Sequence, residues 1–411
     1  SALTRVGEKP WRPQSWTVTT PGVRLERRGW HDVLVSETGT VPRRVRISFR
    51  PFPDDLLSDY DAAMVFTDGT VAIFSDHFSV FPLPTREAAS ALPKDLRQGD
   101  VQDVPTSITF RDRQGTVFHG GGRARSVTLA GNENYVLFGP AKPVETKEIA
   151  TIIDPGLPEW LKGALTGRTL QLLSFYAERL GPRAGERPML LVSWAGPTPS
   201  LRSMGGGVVP GQVLMTFEGD AILKEDPAVR ASAQWFIGHE AAHFWLGNTV
   251  SYAAANQSWI MEGGADLLAV RAAAALDRSY DPKVMLQELA DECVKLSAGR
   301  PVRDAALRNQ QRAYYACGAM FGLAAEGAAR RQGGDFFTFW RGLIDANRAE
   351  GIVSQEEWLA EVTRLSGDPL IADQIRQMVD VGVPDPARAL AALFARSGVP
   401  HRLEGERLRL Q

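Results

Sequence analysis

A chain of 411 residues, 44% hydrophobic and 23% charged, is long enough for two or three domains with substantial cores. Its 46 basic and 48 acidic residues leave a formal net charge of −2, which offers no electrostatic footprint for nucleic acid or a membrane surface. No apolar run reaches the roughly 18 residues that a membrane-spanning helix needs.

The first third alternates apolar and polar residues in short stretches, at 15–20, 33–36, 45–49, 71–74, 107–110, 126–129 and 135–138. Turn signals separate them: Pro21-Gly22, Thr38-Gly39, Asp68-Gly69, Gln114-Gly115 and Gly131-Asn132. This texture predicts an antiparallel β domain, a sandwich or saddle, over residues 1–145. Residues 141–158 are proline-rich and polar and read as a linker. A helix is expected over 157–180, where Leu161, Leu165 and Tyr176 belong to an amphipathic stripe, then strands at 189–194 and 212–217.

Beyond Asp226 the chain reads as almost entirely helical, with clear cases at 282–296, 311–331, 336–346, 356–365 and 386–396, and a short strand pair at 401–410. The expected class is α+β: the β domain, a mostly helical domain over 146–350, and a helical extension over 351–411. Cys293 and Cys317 both fall inside expected helices and read as buried free thiols. The sequence opens on Ser1, not methionine, which fits removal of a signal peptide and a periplasmic or secreted protein, with a cytoplasmic one as the alternative.

The chemistry concentrates between Trp235 and Asp266. Asp226-Pro227 supplies a helix N-cap with proline at the first helical position, and Gly247-Asn248 supplies a stop. His239-Glu240-Ala241-Ala242-His243 lies between them, an H-E-x-x-H word that stacks two imidazoles on one helix face. Two histidines so placed can converge on one zinc ion, with Glu240 as general base beside it. A catalytic zinc takes a third protein ligand, and Glu262, on a second helix entered near Ser258, is the candidate. Asp266, one turn on, is placed to accept the outer N–H of a zinc-bound histidine. Gly263 and Gly264 weaken a helix, and close helix–helix approach beside the metal would justify them. His31, His77, His119 and His401 lack ligand spacing and read as surface or satisfied core histidines.

His-Glu-x-Ala-His-x-Trp-x-Gly-Asn-x-Val, followed by Trp-Ile-x-Glu-Gly, resembles the gluzincin metallopeptidases, most closely the aminopeptidase N type and the related glycyl aminopeptidases. The resemblance runs from about Gly205 to Glu326. It implies a thermolysin-like catalytic domain behind the β domain, one zinc per chain and a peptide or small protein substrate. It also implies that Tyr315 donates to the oxyanion of the tetrahedral intermediate, since Tyr315 and Gly318 match a Tyr-x-Lys-Gly word in which Cys317 replaces the lysine.

The departure lies at Gly205 to Gly211. Family members carry Gly-x-Met-Glu-Asn there, on an edge strand whose glutamate binds the substrate's free α-amino group. In this register Val208 occupies the glutamate position. The backbone at Gly206, Gly207 and Val208 can still pair with an extended peptide, although the same glycines also suit a flexible hairpin loop. Glu218 and Asp220 are the nearby carboxylates that could replace the missing anchor. Three functions follow: a zinc aminopeptidase, an endopeptidase or other peptide hydrolase without the amine anchor, or a silent zinc-containing peptide-binding protein. The intact Glu240 argues against the last.

Overall fold

The structure is a computed structural model that describes residues 10–49, 63–94, 96, 99, 101–102, 104–113, 115–120, 122–130, 134–185 and 187–411. Gln114, Gly131 and Asn132, named above as turn residues, lie outside the described residues. The chain divides into two compact units: Ser1–Pro143 with Asp154–Gly156 and Ser193–Ala195, and Val144–Ile153 with Leu157–Val192 and Gly196–Gln411.

The first unit holds α1 (Trp11–Ser15), β1 (Trp16–Val18), β2 (Val23–Arg28), β3 (His31–Ser36), β4 (Ile47–Phe49), β5 (Ala63–Val65), β6 (Val71–Phe74) and α2 (Ala88–Ala91). It continues through β7 (Ser107–Arg111), β8 (Val117–His119), β9 (Gly122–Ala124), β10 (Ser126–Ala130) and β11 (Tyr135–Phe138). Its described pairings are antiparallel: a sheet in the order β5-β6-β11-β8-β9, the β2-β3 hairpin, and the pairs β1-β4 and β7-β10. Alternation turns Ile73, Phe110, Leu129 and Val136 into one core, and Trp16 stacks on Phe78 with ring centroids 4.4 Å apart. The β2 stretch escapes the sequence pattern because four of its six residues are charged and only Val23 is buried. His31 Nε2 lies 2.9 Å from the Pro93 carbonyl, and His401 Nδ1 lies 2.8 Å from that of Val399. His77 is buried against Trp11 and Phe74. His119, which burial pushes to a lower pKa, is half-buried.

The second unit begins with β12 (Val144–Glu145) and β13 (Ala150–Ile153), inside the stretch read above as a linker. Ile149, Ala150 and Ile152 are buried, and β13 pairs in parallel with β14 (Met189–Trp194). A four-residue strand in a stretch rich in proline and charge is too short to show a period, so composition concealed it. Between these strands runs α3 (Glu159–Leu180), which buries Leu161, Leu165 and Tyr176. The sheet is completed by β15 (Ser203–Val209) and β16 (Gln212–Glu218), in the order β12-β13-β14-β16-β15. The glycine-rich segment is therefore an edge strand, paired antiparallel with β16 from Ser203 opposite Glu218 to Val209 opposite Gln212.

Helices follow: α4 (Pro227–Ala242), α5 (Trp259–Leu276), α6 (Pro282–Ser297), α7 (Arg312–Arg330), α8 (Phe336–Asn347), α9 (Gln355–Ser366), α10 (Pro369–Asp380) and α11 (Pro386–Ser397). The small strands β17 (Ser251–Tyr252) and β18 (Ile352–Val353) pair in parallel, and β19 (His401–Glu404) with β20 (Arg407–Leu410) forms the expected terminal pair. The Asp226 carboxylate caps α4 by accepting from the N–H groups of Ala228 and Val229. This helix ends earlier than its stop signal suggests, at Ala242. The Leu246 carbonyl instead accepts from His243 Nδ1, and Gly247, at φ +137°, turns the chain so that its N–H reaches the Val250 carbonyl at 2.7 Å.

Backbone contact between α5 and α7 occurs at Gly263 and Gly318, where a methyl on either residue would collide with the opposite main chain. Gly264 packs on Leu246 and Trp340. The close approach anticipated from these glycines is thus present. The cysteines correct the sequence reading. Cys293 of α6 and Cys317 of α7 form a disulfide across Cα atoms 4.7 Å apart. Their spacing of 24 residues carries no signal for this pairing, which arises only when the two helices pack side by side.

Candidate metal centre

Helix α4 delivers His239 from its last turn and His243 as its C-cap, one turn apart, and α5 delivers Glu262 from its first turn. Among the described residues, these three form the one group of histidine, cysteine and acidic side chains able to hold a metal ion. The two Nε2 atoms are 3.0 Å apart, and Glu262 Oε2 lies 3.4 Å from each. Tetrahedral ligands at about 2.0–2.1 Å from zinc stand roughly 3.3 Å from one another, so this triangle has the size of a zinc site.

The protonation pattern agrees with the spacing. His243 Nδ1 is 2.7 Å from the Leu246 carbonyl, which can only accept, so Nδ1 carries the proton and Nε2 presents a lone pair. His239 Nδ1 is 2.7 Å from Asp266 Oδ1, and Asp266 is fully buried. The aspartate thus favours the same tautomer in the second imidazole, with the Nδ1 proton toward Oδ1. Three buried carboxylate oxygens, Glu240 Oε2, Glu262 Oε2 and Asp266 Oδ2, have no hydrogen-bond donor. The two imidazole Nε2 atoms and the Glu262 carboxylate, gathered in one buried group, call for a cation.

Without one, protons must serve. Burial lowers the His239 pKa, but hydrogen bonds and charge from Asp266, helped by Glu262 and Glu240, overcome it and raise the value to about 10. His243 is likewise raised, with Glu262 outweighing burial. Burial pushes the Glu262 carboxyl up, yet the two imidazoles hold it well below the usual range. Glu240 is shifted the other way: burial raises its pKa, and the histidines only partly offset this. A carboxylate with raised proton affinity and an unpaired oxygen is suited to accept a proton.

Two further groups frame the centre. The Tyr315 ring stacks on the His239 imidazole with centroids 5.7 Å apart and planes 19° from parallel. Burial, then the charges of Glu262, Glu240 and Asp266, hold its pKa above the ordinary phenol range, so it stays a neutral donor. On the sheet side, Gly206 meets Glu240 directly. A Cβ there would lie 2.6 Å from Glu240 Cδ and 2.8 Å from the Leu214 carbonyl oxygen.

Strand alternation sorts the rest. Gly206 and Val208 share a face with Met215 and Phe217, and the Phe217 ring packs on Phe236 of α4 at 5.5 Å. Val208 therefore lies on the Glu240 side of the sheet. Glu218, opposite Ser203, belongs to the reverse face, where its carboxylate accepts from the Thr198 hydroxyl. Gly207 occupies the same strand in register with Leu214. Asp220 is exposed in the turn beyond β16. Trp235 and Arg312, not singled out in the sequence, also flank the centre: the Trp235 ring lies 5.9 Å from that of His239, and the Arg312 guanidinium 5.0 Å from that of Tyr315. The i−4 spacing of Trp235 could have revealed the first, and the i−3 spacing of Arg312 the second.

No family model and no curated protein matches the sequence. Solved structures do match in fold. Yeast LTA4 hydrolase superposes with a TM-score of 0.53 at 14% identity, over 90% of this chain and 61% of its own. An aminopeptidase N family protein from Idiomarina loihiensis gives 0.52 at 14% identity, over 69% and 55%. An M1 zinc metallopeptidase from Deinococcus radiodurans gives 0.47 at 18% identity, over 90% and 83%. The chain thus spans less than two thirds of the length of the first two of these proteins. The fold is similar to that of yeast LTA4 hydrolase and of the aminopeptidase N family protein.

Proposed function

We propose that this protein is a zinc-dependent peptide hydrolase, with the helical unit and its five-stranded sheet as a thermolysin-like catalytic unit. One observation carries the reading: two outward-braced imidazoles and a carboxylate converge at 3.0–3.4 Å beside an unpaired buried glutamate. Zinc held by His239, His243 and Glu262 supplies Lewis acidity toward a carbonyl oxygen and makes water a better acid. Glu240 takes a proton from the attacking water at Oε2 and returns it to the leaving amine. Tyr315 donates its phenolic hydrogen to the developing oxyanion, and Asp266 holds His239 in the required tautomer. The edge strand β15 receives an extended peptide, its glycines letting the backbone of Gly206 and Gly207 come close to the reacting carbonyl.

Aminopeptidase action is the first reading, on the resemblance. A second, hydrolysis without need of a free amine, is favoured by Val208 on the Glu240 side and by Glu218 on the reverse face: no acidic side chain of β15 or β16 is turned toward the site. Mass spectrometry of products from paired free and N-acetylated peptides separates the two. Glu240→Gln tests the common core: zinc content is retained and cleavage falls by about 10²–10⁴. Undiminished turnover would remove the base assignment. The Cys293–Cys317 disulfide supports an oxidising compartment, periplasmic or extracellular, for the working protein.

A further inference from the structure

The Tyr315 phenol sits in the first turn of α7, where a helix would otherwise leave it several rotamers. Two planar groups rest against it, the His239 imidazole and the Arg312 guanidinium. Arg312 is itself almost half exposed, on a long flexible stem, and would not stay over the ring unaided. It is gripped from α6: its Nε lies 3.2 Å from Glu292 Oε1 and one of its terminal nitrogens 2.7 Å from Oε2, a two-pronged fork. The residue after Glu292 is Cys293, tied covalently to Cys317 two places beyond Tyr315. Helix α6 therefore fixes α7 on both sides of the phenol, once by charge and once by a covalent bond.

We propose that Arg312, held by Glu292, is a positioning residue that sets the Tyr315 hydroxyl for a tetrahedral anion at the metal centre. The inference rests on the reading of Tyr315 as an oxyanion donor. An exposed ion pair contributes little to stability, so a purely structural role would leave both fold and ligand binding nearly unchanged when it is removed. A positioning role would show in the binding of anions that need the phenol.

The test uses the full zinc-loaded chain and a phosphinic peptide, whose tetrahedral anion imitates the reaction's intermediate, with affinity read by titration calorimetry. Tyr315→Phe is expected to weaken binding by at least about tenfold, in keeping with the worth of single oxyanion donors. Arg312→Met should weaken it about two- to fivefold, the range of a partly exposed cation–π contact. Glu292→Gln should weaken it by a similar or smaller factor. Arg312→Lys, which keeps the cation but not the fork, should fall between. Zinc content and melting temperature should hold in every variant. Adding Arg312→Met to Tyr315→Phe should cost nothing more, because the arginine acts through the phenol. The proposal is overturned if Arg312→Met binds as the unaltered protein does while Tyr315→Phe is weakened, or if the two losses multiply. A Tyr315→Phe variant of full affinity would remove the oxyanion reading, and the proposal with it. Failure of the unaltered zinc protein to bind the phosphinic peptide would instead sink the peptidase reading.

Discussion

Gly206→Ala is the sharpest perturbation that the site offers. The added methyl would lie 2.6 Å from Glu240 Cδ, where carbon atoms ordinarily meet at about 3.5–4.0 Å. The carboxylate must therefore withdraw by about 1 Å. The other neighbour, the Leu214 carbonyl oxygen at 2.8 Å, belongs to the paired strand and yields only by shifting backbone. A displacement of about 1 Å in a reacting group costs on the order of 10²-fold in rate, and that is the expected fall in kcat/KM. Zinc binding should persist, because neither imidazole nor Glu262 is touched. Stability should fall by about 0–2.5 kcal/mol: overpacking costs about 1–3 kcal/mol, against a gain of about 0.5–1 kcal/mol from replacing glycine in a strand. Gly205→Ala is the control, one residue away, with no atom within 4 Å of the new methyl. Rates on one peptide, zinc content by mass spectrometry of the metal, and melting curves complete the assay. The reasoning fails if Gly206→Ala stays within a few-fold of the unaltered protein, or if Gly205→Ala loses as much.

Asp266→Asn removes the charged acceptor 2.7 Å from His239 Nδ1, and zinc affinity should fall by about 10–100-fold in a competition titration with a chelating dye. In the metal-free protein His239 has a pKa raised to about 10, so its proton adds stability below about pH 6.5 that is progressively lost as pH climbs toward 10. Zinc replaces that proton, and the melting-point gain on adding zinc should be larger at pH 9 than at pH 6.5; an equal or smaller gain would refute the assignment. Replacing Cys293 and Cys317 together by alanine opens a loop of 24 residues and should cost roughly 3 kcal/mol in urea unfolding, with zinc affinity preserved.

What was legible in the sequence was local. His239, Glu240 and His243 declare their geometry through helical spacing alone, and the i+4 distance of Asp266 from Glu262 marks its place on the same helix face, from which it reaches His239 Nδ1. The Asp226-Pro227 cap is equally local, and the same signal at Asp368-Pro369 marks α10, whose Asp368 carboxylate accepts from the Leu370 N–H. What stayed hidden depends on partners distant in the chain. Cys293 finds Cys317 only because α6 lies along α7. β13 is too short to show a period. Glu292 declares nothing until its fork closes on Arg312. Val208 is an intermediate case: its face follows from alternation, but that Glu218 lies on the other face required the β15–β16 register.

One helix crossing accounts for much of the site's precision. Glu262 immediately precedes Gly263, and Tyr315 stands three residues before Gly318, the two glycines at which α5 and α7 touch backbone to backbone. The separation between the backbones that carry Glu262 and Tyr315 is therefore gauged by main chain against main chain, with no flexible side chain between the helices at the crossing. Main-chain contacts admit almost no slack, since any Cβ at either position would strike the opposing helix. The same arrangement explains why α7 can be braced from α6 by residues that touch no metal. Once the crossing point is fixed, what remains to be set is the rotation of α7's first turn, and the Arg312–Glu292 fork and the Cys293–Cys317 bond act on that rotation from either side of Tyr315.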